Sequence, residues 1–168
     1  MKKEIKVNGQ LLENVTKFKY LGSIISDEAS KPEILSRIAQ TTTAMTRLQP
    51  LWKNKYFSIS SKIRLMRALV MSIFLYACES WKITVDLEKK INAAEMRCYR
   101  RLLGISYRNC VKNEEVKQRI KNSICTYVDL LTSVKRWKLR YFGHVTRSTG
   151  LAKTLMQGTI REGKRRGR

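Results

Sequence analysis

The chain has 168 residues with 35 Lys and Arg against 13 Asp and Glu, a formal charge of +22. At 43% hydrophobic it is not a disordered basic tail, since such tails lack the apolar content to bury a core. A charge excess of this size repels itself unless a polyanion neutralises it, so nucleic acid is the first partner to consider and anionic membrane the second.

The first segment has a strand-like grain. Ile5 and Val7 alternate with polar residues, Asn8-Gly9 is a strong short hairpin signal, and Leu11-Leu12 begin a return strand. Phe18, Tyr20 and Leu21-Gly22 lead into Ile24-Ile25 as a third strand-like run, closed by Ser26-Asp27. Three strands this short do not stand alone and need the following helices or a larger sheet.

From Ser30 the periodicity becomes helical. Ser30-Lys31-Pro32-Glu33 fits a capping box, and Ile34, Ile38, Met45 and Leu48 form a stripe that Pro50 is expected to end. Ser58 to Ser61 offer caps for a second helix, where Ile63, Met66, Leu69-Val70, Ile73-Phe74 and Ala77 are expected to pack on several sides. The longest apolar stretch runs from Ala68 to Cys78 with Ser72 inside it. A bilayer span requires about 20 residues, so this stretch is far too short and reads as core.

A third helix starts at Thr84 or Asp86. Leu87, Ile91, Ala94, Cys98 and Leu102 form its apolar face, and Gly104 supplies its C-cap. Asn113 with Glu114 and Glu115 opens a fourth helix, the acids suiting its N-terminal dipole. A fifth runs from about Asp129 to Phe142. After Gly150 the apolar signal fades, and Arg161 to Arg168 reads as a Gly-broken basic tail expected to be disordered. The expected fold is therefore mainly α, a helical bundle with a small N-terminal antiparallel β element and a basic C-terminal tail.

The charge lies almost wholly on the helices and tail. Residues 1–30 hold five basic and four acidic side chains, against 30 and nine in the remainder. Arg97, Arg100 and Arg101 fall within about one helical turn, and Lys135, Arg136, Lys138 and Arg140 cluster on the fifth helix. Charge runs are usually solvated faces, but these lack balancing acids at i, i+4, which favours phosphate-backbone contact. Trp137, Tyr141, Phe142 and His144 interleave with the second cluster. Residues 134, 137, 141 and 145 also follow helical spacing, so core packing is the expectation and base stacking the alternative.

The chemistry-bearing residues are sparse. The single His144 reads as a structural or phosphate-facing residue and not a metal ligand. Cys78 and Cys98 lie on apolar faces, Cys110 and Cys125 are candidates for exposure, and no C-x₂₋₄-C spacing suggests zinc. Without a signal peptide, reduced thiols and a nuclear or cytoplasmic, non-secreted location are expected. Neither a G-x-S-x-G context nor a phosphate-binding glycine loop is present. The residues by themselves point to a non-enzymatic, mostly helical nucleic-acid-binding module.

Several strings then occur in a recognisable order. Phe18-Lys19-Tyr20-Leu21-Gly22-Ser23 resembles the F-x-YLGS segment that closes the palm of reverse transcriptases from non-LTR (LINE-type) retrotransposons. The run Ser72 to Trp81 resembles that group's S-x-x-LYGCE-x-W, with Ala77 where the family often has Gly. Arg100-Arg101-Leu102-Leu103-Gly104-Ile105-Ser106 and Asn113-Glu114-Glu115-Val116 continue the likeness. Arg140-Tyr141-Phe142-Gly143-His144-Val145-x-Arg147 is close to R-W/Y-FGHV-x-R. In this order the strings resemble the RTE-like endonuclease–reverse transcriptase polyproteins, over roughly Val7 to Arg168.

The resemblance implies the end of a palm in residues 1–28, a thumb-like helical domain in 29–108, C-terminal basic helices in 109–150 and a basic tail in 151–168. The family's catalytic aspartates, including the Y/F-A-D-D turn, lie upstream of the YLGS strand. Two-metal phosphoryl transfer needs several converging carboxylates. The chain alone is therefore expected to be no enzyme and to need no cofactor, Mg²⁺ belonging to the intact parent with its palm and fingers. Its basic end, where family members usually continue, suggests a fragment or truncated reading frame. By the same resemblance Tyr20, Leu21 and Gly22 would lie near the primer backbone. On charge, Arg97, Arg100 and Arg101 are candidates for duplex phosphates, Lys135, Arg136, Lys138 and Arg140 for the emerging strand or RNA, and Arg147 is a further nucleic-acid-binding candidate. The implied partner is a DNA and/or RNA primer–template duplex, with no membrane and no small-molecule substrate. The alternative is a stand-alone or co-opted nucleic-acid-binding or interaction protein.

Overall fold

A computed structural model describes residues 6–7, 10–11 and 13–157 and is mainly helical. Two small antiparallel hairpins open it. Strands β1 (Lys6–Val7) and β2 (Gln10–Leu11) pair antiparallel, with Lys6 opposite Leu11 and Val7 opposite Gln10. The expected turn at Asn8-Gly9 and the expected basic run Arg161 to Arg168 lie outside the described residues.

Strands β3 (Lys17–Tyr20) and β4 (Ser23–Ser26) form the second hairpin, with Phe18 opposite Ile25 and Tyr20 opposite Ser23. The expected single strand through Leu21-Gly22 is corrected here, because those two residues are the turn. Leu21 has φ 47° and Gly22 has φ 82°. Positive φ at both central residues gives a twist that suits a two-residue hairpin loop. Leucine is an unfavourable choice for that conformation, so its side chain gave no turn signal.

The hairpin is fastened to helix α1 (Lys31–Arg47) by a buried ion pair. Arg37 Nε donates to Glu33 Oε1 at 2.7 Å, the Ile24 N–H donates to Glu33 Oε2 at 2.6 Å, and Arg37 Nη2 donates to the Gly22 carbonyl at 2.6 Å. Taking one partner of such a pair away leaves an uncompensated buried charge. Glu33 is thus committed to the hairpin, and the expected capping box does not form: the Ser30 hydroxyl accepts instead from the Lys82 N–H at 2.6 Å. Pro50 does not merely end α1. It occupies the first turn of a short helix α2 (Gln49–Lys53), where its missing N–H costs nothing.

The next helical run is α3 (Ile59–Leu65), a π-helical turn at Met66–Met71, and α4 (Ser72–Leu75). Ser58 caps it, accepting from the Ser61 N–H. With the wider turn, Met66, Val70 and Phe74 are buried while Leu69 is exposed, against the expectation that it packs. Ala77 lies beyond this helix and not within it, at φ 58°. Gly would meet no Cβ penalty in that conformation. The expected helical setting of Ala77 is therefore corrected.

Helix α5 (Val85–Leu103) runs between the Thr84 N-cap and the Gly104 C-cap, and all five predicted apolar positions are buried. Helices α6 (Asn113–Asn122), α7 (Leu130–Arg147) and α8 (Leu151–Gln157) complete the described fold. The last of these replaces a stretch expected to belong to the tail. One core cluster joins Ile34, Ile63, Phe74 and Ile91 to Val116, Ile120, Leu130 and Val134, so segments 29–108 and 109–150 share their apolar interior. Trp81 closes it edge-on against Phe74, ring centres 5.4 Å apart, an arrangement that sets the positive edge of one ring against the negative face of the other. No helix among the described residues is long and apolar enough to cross a membrane.

Candidate nucleic-acid interface

The candidate residues fall in three places. Tyr20, Leu21 and Gly22 form the tip of the β3–β4 hairpin, where the Tyr20 and Leu21 side chains are exposed. The tip is held from below: Tyr76 Oη donates to the Leu21 carbonyl at 2.5 Å, and the Arg37 guanidinium lies 4.5 Å from the centre of the Tyr76 ring. The fastening acts on the backbone and leaves the Tyr20 and Leu21 side chains free of the core.

Arg97, Arg100 and Arg101 line a second place, a cleft of roughly 700 Å³ bounded by α1, α2, α3 and the C-terminal half of α5. Lys53 and Lys62 join them, and among the described residues no carboxylate lines it. The sequence reading missed both lysines, since only the approach of α2 and α3 brings them to α5. The arginines differ in what they can offer. Arg100 spends Nη1 on Asn113 Oδ1 at 2.7 Å and Nη2 on the Val111 carbonyl at 2.8 Å. Arg101 Nη1 donates to Thr46 Oγ1 at 2.7 Å, tying α5 to α1. Arg97 is exposed. Arg100 is therefore the most committed of the three, with both Nη atoms engaged, Arg101 has its Nη1 engaged, and the exposed Arg97 is the best placed to offer a donor fork to a phosphate.

Helix α7 holds the third group, and the structure divides it. Lys135 pairs with Glu88 at 2.8 Å, and Lys138 donates to the Trp81 carbonyl, so both brace the helix against its neighbours. Arg136 is exposed. Arg140 and Arg147 line a groove of roughly 440 Å³ with Trp137, Tyr141, His144 and Glu79. Trp137, Tyr141 and Phe142 are exposed, which corrects the expectation of core packing; of positions 134, 137, 141 and 145, only Val134 and Val145 are buried. An added Cβ at Gly143 would lie 3.4 Å from Arg147 Nη1, an ordinary contact with the end of a flexible side chain, so the groove does not depend on glycine there.

Titration directions separate scaffold from surface. Burial pushes the Cys78 thiol up to about 12 and the Cys98 thiol up to about 11. Cys110 and Cys125, by contrast, are exposed. Burial likewise holds the Glu95 carboxyl above its ordinary range, although Glu95 Oε1 accepts from the Leu130 N–H at 2.9 Å and the Tyr99 hydroxyl at 3.1 Å. Glu95 is thus a link between α5 and α7 that periodicity alone did not single out. Among the described residues no group of three or more His, Cys, Asp or Glu side chains is placed to hold a metal ion.

No family model matches the chain, and neither a curated protein nor a solved structure is similar to it at a significant level.

Proposed function

We propose that this chain is the gripping, non-catalytic part of a non-LTR retrotransposon reverse transcriptase and that it binds primer–template nucleic acid through its basic helices. The observation that carries the binding is the α5 cleft, where five cationic side chains line one concavity with no carboxylate among its described lining residues. A concave surface of one sign focuses its field, and a phosphate backbone is the polyanion whose repeat can meet several such charges together. The order of the sequence strings supports the retrotransposon origin, and the exposed hairpin tip at Tyr20, Leu21 and Gly22 supports a place beside the primer strand.

Binding through phosphates has a distinctive signature. Labelled RNA–DNA and DNA–DNA primer–templates should bind the purified chain at low salt, with affinity falling linearly in log–log form as salt rises. Arg97→Ala should weaken binding alike for unrelated sequences and reduce the salt slope by about 1. Absence of binding at low salt would overturn the proposal, and an Arg97→Ala variant with unchanged affinity and slope would overturn the cleft's role. Incorporation of deoxynucleotides by the chain alone would overturn its non-catalytic part. Genomic context tests the origin: an upstream frame encoding a Y/F-A-D-D turn supports it, and an independent promoter without such a frame favours a stand-alone or co-opted binding protein.

A further inference from the structure

The groove on α7 has features that duplex gripping does not require. Trp137, Arg140, Tyr141, His144 and Arg147 recur at spacings of three and four residues, so they lie along one side of the helix. An aromatic side chain left in water at such a position forgoes the burial that would normally recover its apolar area. Trp137 is 46% exposed, whereas the chain's other two tryptophans, Trp52 and Trp81, are 4% and 1% exposed. The Arg140 guanidinium lies 5.6 Å from the Trp137 ring centre, which holds a positive charge beside the aromatic surface.

We infer that this groove is a second site, for an unpaired nucleotide of single-stranded nucleic acid, with its base stacked on Trp137 or Tyr141 and its phosphates met by Arg140 and Arg147. The inference rests on the nucleic-acid reading above and adds to it a distinct ligand class and place. Bases within a duplex are already stacked on one another and do not offer their faces to a side chain, so aromatics alternating with cations select an unpaired strand. The cleft on α5, by contrast, is dominated by cations and suits a backbone whose bases are hidden.

Glu79 sharpens the ligand further. It is the one carboxylate among the groove's described lining residues, and close to a phosphate it would repel. The backbone therefore runs along the Arg140 and Arg147 side, and the Glu79 end takes a base edge. A carboxylate only accepts hydrogen bonds, so it favours a base that presents an amino group, such as cytosine or adenine, over thymine or uracil.

Intrinsic tryptophan fluorescence reads this site selectively, because Trp137 is the exposed one of the three tryptophans. Short oligo(dC) should quench it, and oligo(dT) should bind more weakly. Trp137→Ala with Tyr141→Ala should weaken oligo(dC) binding, followed by anisotropy, by about tenfold or more while leaving duplex affinity within about twofold. Trp137→Phe should restore most of the affinity, since a smaller ring still offers a stacking face, and Glu79→Gln should narrow the gap between oligo(dC) and oligo(dT).

The outcomes separate the two proposals. Duplex binding that persists while oligonucleotide binding ignores the aromatic substitutions overturns the α7 site alone. Failure to bind either ligand overturns both readings. Equal binding of oligo(dC) and oligo(dT) by the unaltered chain overturns the role of Glu79. Concentration-dependent dimerisation abolished by Trp137→Ala, without any oligonucleotide quenching, would assign the groove to a second copy of the chain and overturn the inference.

Discussion

Helices α5 and α7 are nearly equal in length, both amphipathic and both rich in basic residues, yet they have opposite relations to the core. On α5 the apolar spacing 87, 91, 94, 98, 102 is buried throughout, and Arg100 and Arg101 are hydrogen-bonded to neighbouring elements. On α7 only Leu130, Val134 and Val145 are buried, and Trp137, Leu139, Tyr141 and Phe142 face solvent. The difference lies in what surrounds each helix. Helix α5 packs chiefly on α1, α2, α3, α6 and α7, whereas α7 packs chiefly on α5, the 3₁₀ turn at Cys78–Ser80, and α8. A helix surrounded on several sides buries most of its apolar residues, Val85 at the first turn of α5 being an exposed exception, whereas one at the edge buries a narrow strip and leaves the remainder facing solvent.

That contrast predicts unequal costs for equal truncations. Ile91→Ala on α5 removes a fully buried side chain and should cost about 2–5 kcal/mol in denaturant unfolding. Leu139 on α7 is exposed. Leu139→Ala should therefore change stability by at most about 0.5 kcal/mol. Comparable losses at the two positions would show that α7 has a covering element and would remove the contrast.

Thiol reactivity tests the same division chemically. Cys98 on α5, pushed up to about 11, and Cys78, pushed up to about 12, carry little thiolate near neutral pH. A thiol held near 11 instead of 9.0 carries about a hundredfold less of the reactive form, and burial adds a steric barrier. A water-soluble thiol reagent should therefore modify Cys110 and Cys125 in the native protein and reach Cys78 and Cys98 only on unfolding. Rapid native modification of Cys98 would mean that α5 is less enclosed than its packing indicates.

The joint between the two helices has its own pH dependence. Glu95 on α5 accepts the Leu130 N–H at the start of α7, and burial raises its pKa in the folded protein. The folded state therefore binds its proton more tightly than the unfolded state, and this group's contribution to stability declines as pH rises above the ordinary carboxylate range. Asp129 acts oppositely. Burial pushes its carboxyl up, but hydrogen bonds from the Thr132 N–H and hydroxyl outweigh that and hold it low, so its contribution is lost on acidification. Glu95→Gln should keep both hydrogen bonds and flatten the Glu95 part of the profile in thermal melts across weakly acidic to neutral pH. Glu95→Ala should cost about 1–3 kcal/mol by orphaning the Leu130 N–H and the Tyr99 hydroxyl. An unchanged pH profile in Glu95→Gln would sink the titration argument.

The sequence made the fold readable where a residue's local preference and its tertiary setting agree. The Thr84 cap, the five apolar positions and Gly104 are local signals for α5, and the tertiary structure contradicts none of them. Misreadings cluster where a residue occupies a setting its side chain does not advertise: Leu21 in a turn, Ala77 in a left-handed conformation, Pro50 opening a helix as well as closing one. The site was legible in the same uneven way. Charge alone located Arg97, Arg100 and Arg101, but Lys53 and Lys62 join them only through packing between helices distant in sequence. For Trp137 and Tyr141, helical spacing was equally compatible with core or surface, because periodicity places residues on a face without saying what that face meets.

A second link between α5 and α7 is the ion pair of Glu88 with Lys135, 2.8 Å apart with both side chains partly in water. Exposed pairs gain little, since water screens the charges and two long side chains must be ordered. Lys135→Ala should therefore cost at most about 1 kcal/mol, with the cost shrinking as salt is added. A larger, salt-independent loss would mean that Lys135 positions α7 through its aliphatic stem. The aromatic groove would then depend on the α5 surface for its placement, and Lys135→Met, which keeps most of the stem and removes the charge, should restore the stability that Lys135→Ala loses.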